Sequence, residues 1–299
     1  MQRESERKEL GSMWKQKLGI SLANNYEIST AEVVKIVKEV GFDAISPAWT
    51  HDVNLEPIVQ AAKECGLAIQ SLHSPHQKSA DMWELDPAVC APAIKDLMDS
   101  LEECRTYEIP VMVVHTWIGF DSIPEPTEAG LINYGKVVER AAEYGVKIAF
   151  ENTEGQEHLF ALLDHFAGND TVGFCWDSGH EICYNHSMDL LGKYGDRLIM
   201  THINDNLGIS RFDGKTFWTD DLHLLPFDGV ADWEYNGMRL GKAKPIEYLN
   251  FELGIKSKPG RHENDCYEAM SLLQYFTEAY KRACRVAYRI RRSTENGTC

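Results

Sequence analysis

The sequence predicts an α/β chain folded as a single-domain (β/α)₈ barrel, and three observations carry that expectation. Eight short apolar runs alternate with stretches of helical periodicity along nearly the whole chain. The runs are continuous rather than alternately polar, as in parallel strands buried on both faces. No G-x-G-x-x-G follows the first run and no P-loop occurs, so the competing doubly wound open sheet lacks its usual phosphate-binding signatures.

The elements follow in order. Lys17–Leu22 is the first run. Thr30–Val40 places Val33, Val34, Ile36, Val37 and Val40 on one helical face and stops at Gly41. Ala44–Trp49 is the second run, followed by a helix over 55–65 that ends at Gly66. The third run, Leu67–His73, is closed by Pro75, and a long helix covers 87–107. Val111–His115 leads to a helix over 127–144 that ends at Gly145. Lys147–Glu151 leads to a helix over 158–166, and Val172–Asp177 to a short one over 187–194. Leu198–His202 opens a long connection over 204–229, then a weak helix near 233–240. Ile246–Glu252 is the eighth run, and a final helix covers 264–292. Eight right-handed β–α units close naturally into a barrel. The expected organisation is a polar leader over 1–16, the barrel over 17–292 and a polar tail over 293–299.

Composition bounds the function. The chain has 299 residues, 43% of them hydrophobic and 25% charged, enough for a large core without disulfides. The 30 basic residues face 46 acidic ones, a net charge of −16. Six of the 30 fall within Lys281–Arg292, leaving 24 against 46 elsewhere, so a nucleic-acid partner is not expected. That basic stretch reads as a solvated helix face, or as a surface for an acidic patch of another subunit. None of the eight cysteines forms a C-x-x-C pair, which suits reduced cytoplasmic thiols. No apolar run approaches the length of a membrane span, and the charged start MQRESERKEL does not read as a secretory signal.

The position of the polar residues is the informative feature. His73, His115, Glu151, Asp177, His202 and Glu252 each sit at the C-terminal end of an apolar run. A barrel gathers those ends on the face where active sites are built. A lone His or Glu there commonly just caps a strand, but converging carboxylates repel one another unless a cation lies among them. Oxygen and imidazole ligands without thiolate suit Mn²⁺, Mg²⁺, Co²⁺ or Zn²⁺. Cys175, on the same side of its strand as Asp177, is read as packing one layer below.

Seven motifs then resemble the xylose-isomerase-like TIM barrels: Ser71-Leu-His-Ser-Pro75, Val114-His-Thr116, Phe150-Glu-Asn152, Trp176-Asp-Ser-Gly-His180, Thr201-His-Ile-Asn-Asp205, Asp221-Leu-His223 and Phe251-Glu-Leu253. The resemblance spans about 17–280. Its ketose 3-epimerase branch implies one metal on Glu151, Asp177, His202 and Glu252, with Glu151 and Glu252 as acid/base pair and His180 as a further catalytic or substrate contact. The implied reaction abstracts a proton beside a carbonyl of a sugar or sugar phosphate through an enediolate. Mn²⁺ is the first choice of metal.

The AP endonuclease branch implies three zinc ions on nine ligands, and adds His73, His115, His180, Asp221 and His223 to the four. Two departures weigh against it. His76 stands where those nucleases place an aromatic residue, and Leu224-Leu-Pro-Phe-Asp-Gly229 replaces their Ile-Gly turn. A third reading is a lyase, dehydratase or C-glycoside-cleaving subunit with His115 or His180 as base. Arg211 is a candidate for a substrate hydroxyl or phosphate. Trp117 is a candidate for stacking on substrate, as are Trp49, Trp83, Trp176 and Trp218, with core packing the alternative for at least half of them. A homo-oligomer or partner subunit is compatible with all three readings.

Overall fold

The computed structural model describes residues 14, 16–211 and 213–296. Most of the polar leader, including Gly11-Ser12-Met13, and residues 297–299 lie outside the described residues. The strands are β1 (Lys17–Leu22), β2 (Ala44–Pro47), β3 (Ala68–Ile69), β4 (Leu72–His73), β5 (Val111–His115), β6 (Lys147–Glu151), β7 (Val172–Asp177), β8 (Leu198–His202) and β9 (Tyr248–Phe251). The helices are α1 (Thr30–Val40), α2 (Glu56–Cys65), α3 (Pro87–Thr106), α4 (Glu128–Tyr144), α5 (Gln156–His165), α6 (Ser178–Cys183), α7 (Leu190–Tyr194), α8 (Trp233–Lys242), α9 (Asp265–Glu268) and α10 (Leu272–Asn296).

All strand pairs are parallel, in two sheets ordered β3-β2-β1-β9 and β4-β5-β6-β7-β8. Single bridges at Ala48–His73 and Ile203–Phe251 join them into a closed barrel. The expected third strand is therefore two short ones. It breaks at Gln70 and Ser71, whose buried polar side chains bond across the interior to Asn250 and Ser46. The final helix is also interrupted, α9 preceding α10.

Local chemistry explains the boundaries. Ser29 and Glu32 form a reciprocal capping box on α1, and Gly41 ends it at φ +117°, a conformation that disfavours any side chain. Thr127 caps α4, and Asp86 caps α3 with Pro87 in its first turn. One helix escaped the sequence reading. α6 starts directly at Ser178 with Asp177 as its cap, and the short helix expected over 187–194 is confined to α7.

Alternation along the strands builds the interior in layers. Val113, Ala149, Cys175 and Met200, each two residues before a strand-end ligand candidate, form one small apolar cluster. Cys175 is packing, as expected, and the described cysteines are free thiols. Trp49, Trp83, Trp117 and Trp176 are buried, while Trp218 is partly exposed. The basic stretch of α10 pairs within its own chain. Arg282 bonds Asp228 and Glu278, Arg289 bonds Glu234, and Val286 and Ile290 are buried beneath. No helix among the described residues is long and apolar enough to cross a membrane.

Candidate metal centre

Glu151, at the end of β6, is the hub of the carboxyl face of the barrel. Its side chain is fully buried and surrounded by imidazoles. Its Oε1 lies 3.0 Å from His202 Nδ1 and 3.4 Å from His180 Nδ1. Its Oε2 lies 3.4 Å from His115 Nε2 and 3.6 Å from His73 Nε2, and has no hydrogen-bond partner. His202 Nδ1 is shared with Glu252 Oε2 at 3.2 Å, and its buried Nε2 is unpartnered. Ligand atoms of Glu151, Asp177, His202 and Glu252 all lie within 4.8 Å of one another.

The main chain makes this arrangement rigid. Asp177 Oδ1 accepts the His180 N–H at 2.7 Å as the cap of α6, and Oδ2 accepts Asn204 Nδ2–H at 2.9 Å. Asn152, next to Glu151, clamps the Asp177 backbone at both its N–H and its carbonyl. A Cβ on Gly179 would sit 1.9 Å from Asn204 Oδ1, so only glycine lets Asn204 reach Asp177. Asp205 is buried but satisfied. It accepts from the backbone of Asn206, Phe227 and Ala231 and from Trp233 Nε1, and so organises the connection expected over 204–229.

A second group lies beside the first. His223 Nδ1 bonds the Glu252 carbonyl at 3.2 Å and its Nε2 meets Asp221 Oδ2 at 2.8 Å. His180 Nδ1 bonds the Asn152 carbonyl at 2.9 Å, and its Nε2 lies 3.5 Å from Asp221 Oδ1. The ligand atoms of His180, Asp221 and His223 also fall within 4.8 Å of one another. Lys258 Nζ stands 3.6 Å from Asp221.

Burial pushes the Asp177 carboxyl up to about 6, with the Glu151 and Glu252 charges adding to the rise against His180. Burial opposes ionisation of Glu151 too, yet His202 and His115 hold it well below the usual range. Three carboxylates packed this closely, with an orphaned carboxylate oxygen among them, fit a divalent cation. That ion would use Glu151, Asp177, His202 and Glu252.

Nine of the residues singled out in the sequence thus meet at one mouth: His73, His115, Glu151, Asp177, His180, His202, Asp221, His223 and Glu252. Two others do not join them. The Arg211 guanidinium is half-exposed and forks onto Asp213. Trp117 is buried, stacked on His158 with ring centroids 4.5 Å apart. Sequence reasoning passed over Asn152 and Asn204, because neutral amides carry no ligand signal, and passed over His76 as a ligand.

Residues 34–244 match the family model described as xylose isomerase-like TIM barrel. An uncharacterized protein of Sinorhizobium fredii is 28% identical over 244 residues, 77% of this chain and 73% of that one. Among solved structures, an L-ribulose 3-epimerase superposes with a TM-score of 0.71 at 15% identity, covering 95% of this chain and 98% of its own. A protein named IOLI, with a bound zinc atom, superposes at 0.70 and 17% identity, covering 92% and 99%.

Proposed function

We propose that this chain, which belongs to the xylose isomerase-like TIM barrel family, is a divalent-metal-dependent sugar isomerase or epimerase. One observation carries the reading. Glu151 and Glu252 approach the same His202 Nδ1, at 3.0 and 3.2 Å, and so bracket one point at the barrel mouth. Moving a proton beside a carbonyl needs one carrier to take it and another to return it. Glu252, with 22% of its side chain exposed, is the carboxylate that exchanges protons with solvent. Glu151 is fixed by His202 and His180 and serves the opposite face. His180, held by Asn152 and Asp221, orients a substrate hydroxyl. A cation on Glu151, Asp177, His202 and Glu252 supplies positive charge for the developing oxyanion when bound. The oxygen-rich donor set favours Mn²⁺. The superposed L-ribulose 3-epimerase shares this fold, and the reading covers free sugars and sugar phosphates alike.

The group His180–Asp221–His223 favours a second reading. It gives the mouth room for further cations, as in a phosphodiesterase with several zinc ions. One experiment separates the two. The protein is offered ketopentoses, ketohexoses and their phosphates in deuterium oxide, and, in parallel, an abasic-site oligonucleotide. The isomerase reading expects deuterium at the carbon beside the carbonyl and no incision. Product that retains all its hydrogen, or efficient incision, overturns it.

A further inference from the structure

On its His180 side the mouth is bordered by a row of aromatic rings that the metal centre does not use. Tyr184 stacks on His180 with ring centroids 5.0 Å apart. Phe120 lies 5.7 Å from Tyr184, Phe217 lies 5.7 Å from Phe120, and Trp218 lies 6.0 Å from Phe217. Exposure rises along the row, from 3% at His180 and 8% at Tyr184 to 40% at Phe217 and 42% at Trp218. The row therefore runs from the buried site out to solvent. Its outer end turns back toward the mouth. Lys258 Nζ lies 5.9 Å from the centre of the Trp218 ring and 3.6 Å from Asp221, and Asp221 also meets His180.

The loop that carries the exposed rings is tied down. Buried Asp220 accepts the N–H groups of Ser210 and Phe217 at 3.1 and 3.0 Å. Its carbonyl accepts from Asn206 Nδ2 at 2.8 Å, and Asn206 Oδ1 accepts the Gly208 N–H at 2.8 Å. Phe217 and Trp218 are thus fixed in position with much of their apolar surface in water. A ligand laid against them buries that surface, and the ordering of the rings is already done before it arrives. Clustered exposed apolar groups beside a cleft mark a binding surface.

The ring angles say what kind of ligand. Successive planes from Tyr184 to Trp218 meet at 55°, 59° and 51°. A sugar packs a C–H face flat against one ring. A cleft of tilted faces and edges suits another aromatic ring, which pairs best in tilted or edge-to-face arrangements. We propose that Tyr184, Phe120, Phe217 and Trp218 form a subsite for an aromatic substituent, so that the substrate is a sugar carrying an aryl group. The proposal rests on the sugar isomerase reading for the sugar and adds the substituent. The sugar sits among the carboxylates, and the aryl group lies along the row toward solvent.

In the presence of Mn²⁺, the full chain is titrated calorimetrically with the 4-nitrophenyl glycosides of glucose, galactose, xylose and arabinose, with the matching methyl glycosides, and with methyl cellobioside. Aryl members should bind about tenfold more tightly than their methyl counterparts. The double variant Phe217→Ala, Trp218→Ala should abolish that difference. Trp218→Phe alone, which keeps a ring in place, should preserve most of it, and unchanged melting shows that the variants are folded. Equal affinities for aryl and methyl members throughout the panel, or an aryl advantage that survives in the double variant, overturn the proposal. Methyl cellobioside bound more tightly than the aryl glucoside overturns it in favour of a second sugar. The readout is binding, so an absence of deuterium exchange removes the isomerase reading and leaves the subsite standing, whereas exchange without an aryl advantage removes the subsite alone.

Discussion

Beneath the ligand candidates of β5–β8, the barrel interior is a buried apolar layer of Val113, Ala149, Cys175 and Met200. Across the barrel, in β1–β3 and β9, the interior is neutral and polar. Asn250 donates to Ser21 Oγ at 2.9 Å and accepts from Gln70, and Ser46 pairs with Ser71. Both halves bury polar side chains, but they differ in what those side chains need. Amides and hydroxyls can satisfy one another, and here only the uncharged Gln70 Oε1 is left without a partner. Carboxylates over an apolar floor cannot, and a low-dielectric floor strengthens every uncompensated charge. The four-stranded sheet supplies its single ligand candidate, Glu252, from just beyond β9, at the seam with β8. A polar barrel interior is therefore a functional signal only where its groups are charged and left unmatched.

The sharpest way to break this comparison is at the seam. Glu252→Gln keeps the shape but removes a charge from the proposed ligand set and one of the two proposed proton carriers. Turnover should fall by about 10³-fold, within the range of lost acid–base catalysis, while circular dichroism and melting of the metal-free protein stay at wild type. Full activity in this variant would show that the two halves are not divided as described.

Much of this division is legible in the sequence, for a physical reason. Strand-end ligand candidates interrupt continuous apolar runs, so His115, Glu151, Asp177 and His202 stand out at a fixed place in each repeat. Other features leave no such trace. The break at Gln70 and Ser71 depends on partners about 180 and 25 residues away in sequence. The six residues of α6 are too short for a periodic pattern, and the helix is started by Asp177, itself a ligand candidate. Asp205 closes the motif Thr201-His-Ile-Asn-Asp205 beside His202, yet three backbone N–H groups and an indole satisfy it. Sequence shows the residue type, and only the fold shows whether its hydrogen bonds are already taken.

The next test stays in the charged half but spares the ligands. Asn204→Ala removes the amide that holds Asp177 Oδ2. Outer hydrogen bonds of this kind are worth about 10–100-fold in metal affinity. Calorimetric Mn²⁺ binding should weaken by that factor. Unchanged affinity would mean that Asp177 needs no such support.

The smallest expected effect on the metal lies in the neutral half, and it is the control that gives the comparison its meaning. Asn250 lies two residues before Glu252 on the same side of its strand, so it is as near in sequence to the ligand set as Cys175 or Met200. Its side chain nevertheless bonds only away from the cluster, to Ser21 and Gln70. Asn250→Ala leaves the buried Gln70 amide and the half-buried Ser21 hydroxyl without this partner, a loss of about 1–3 kcal/mol in stability. Urea unfolding should register that loss, while Mn²⁺ affinity stays within twofold of wild type (about 0.4 kcal/mol at RT ≈ 0.59). The reverse pattern, wild-type stability with weakened metal binding, would mean that the neutral network positions Glu252, and that the barrel interior works as one polar system rather than two.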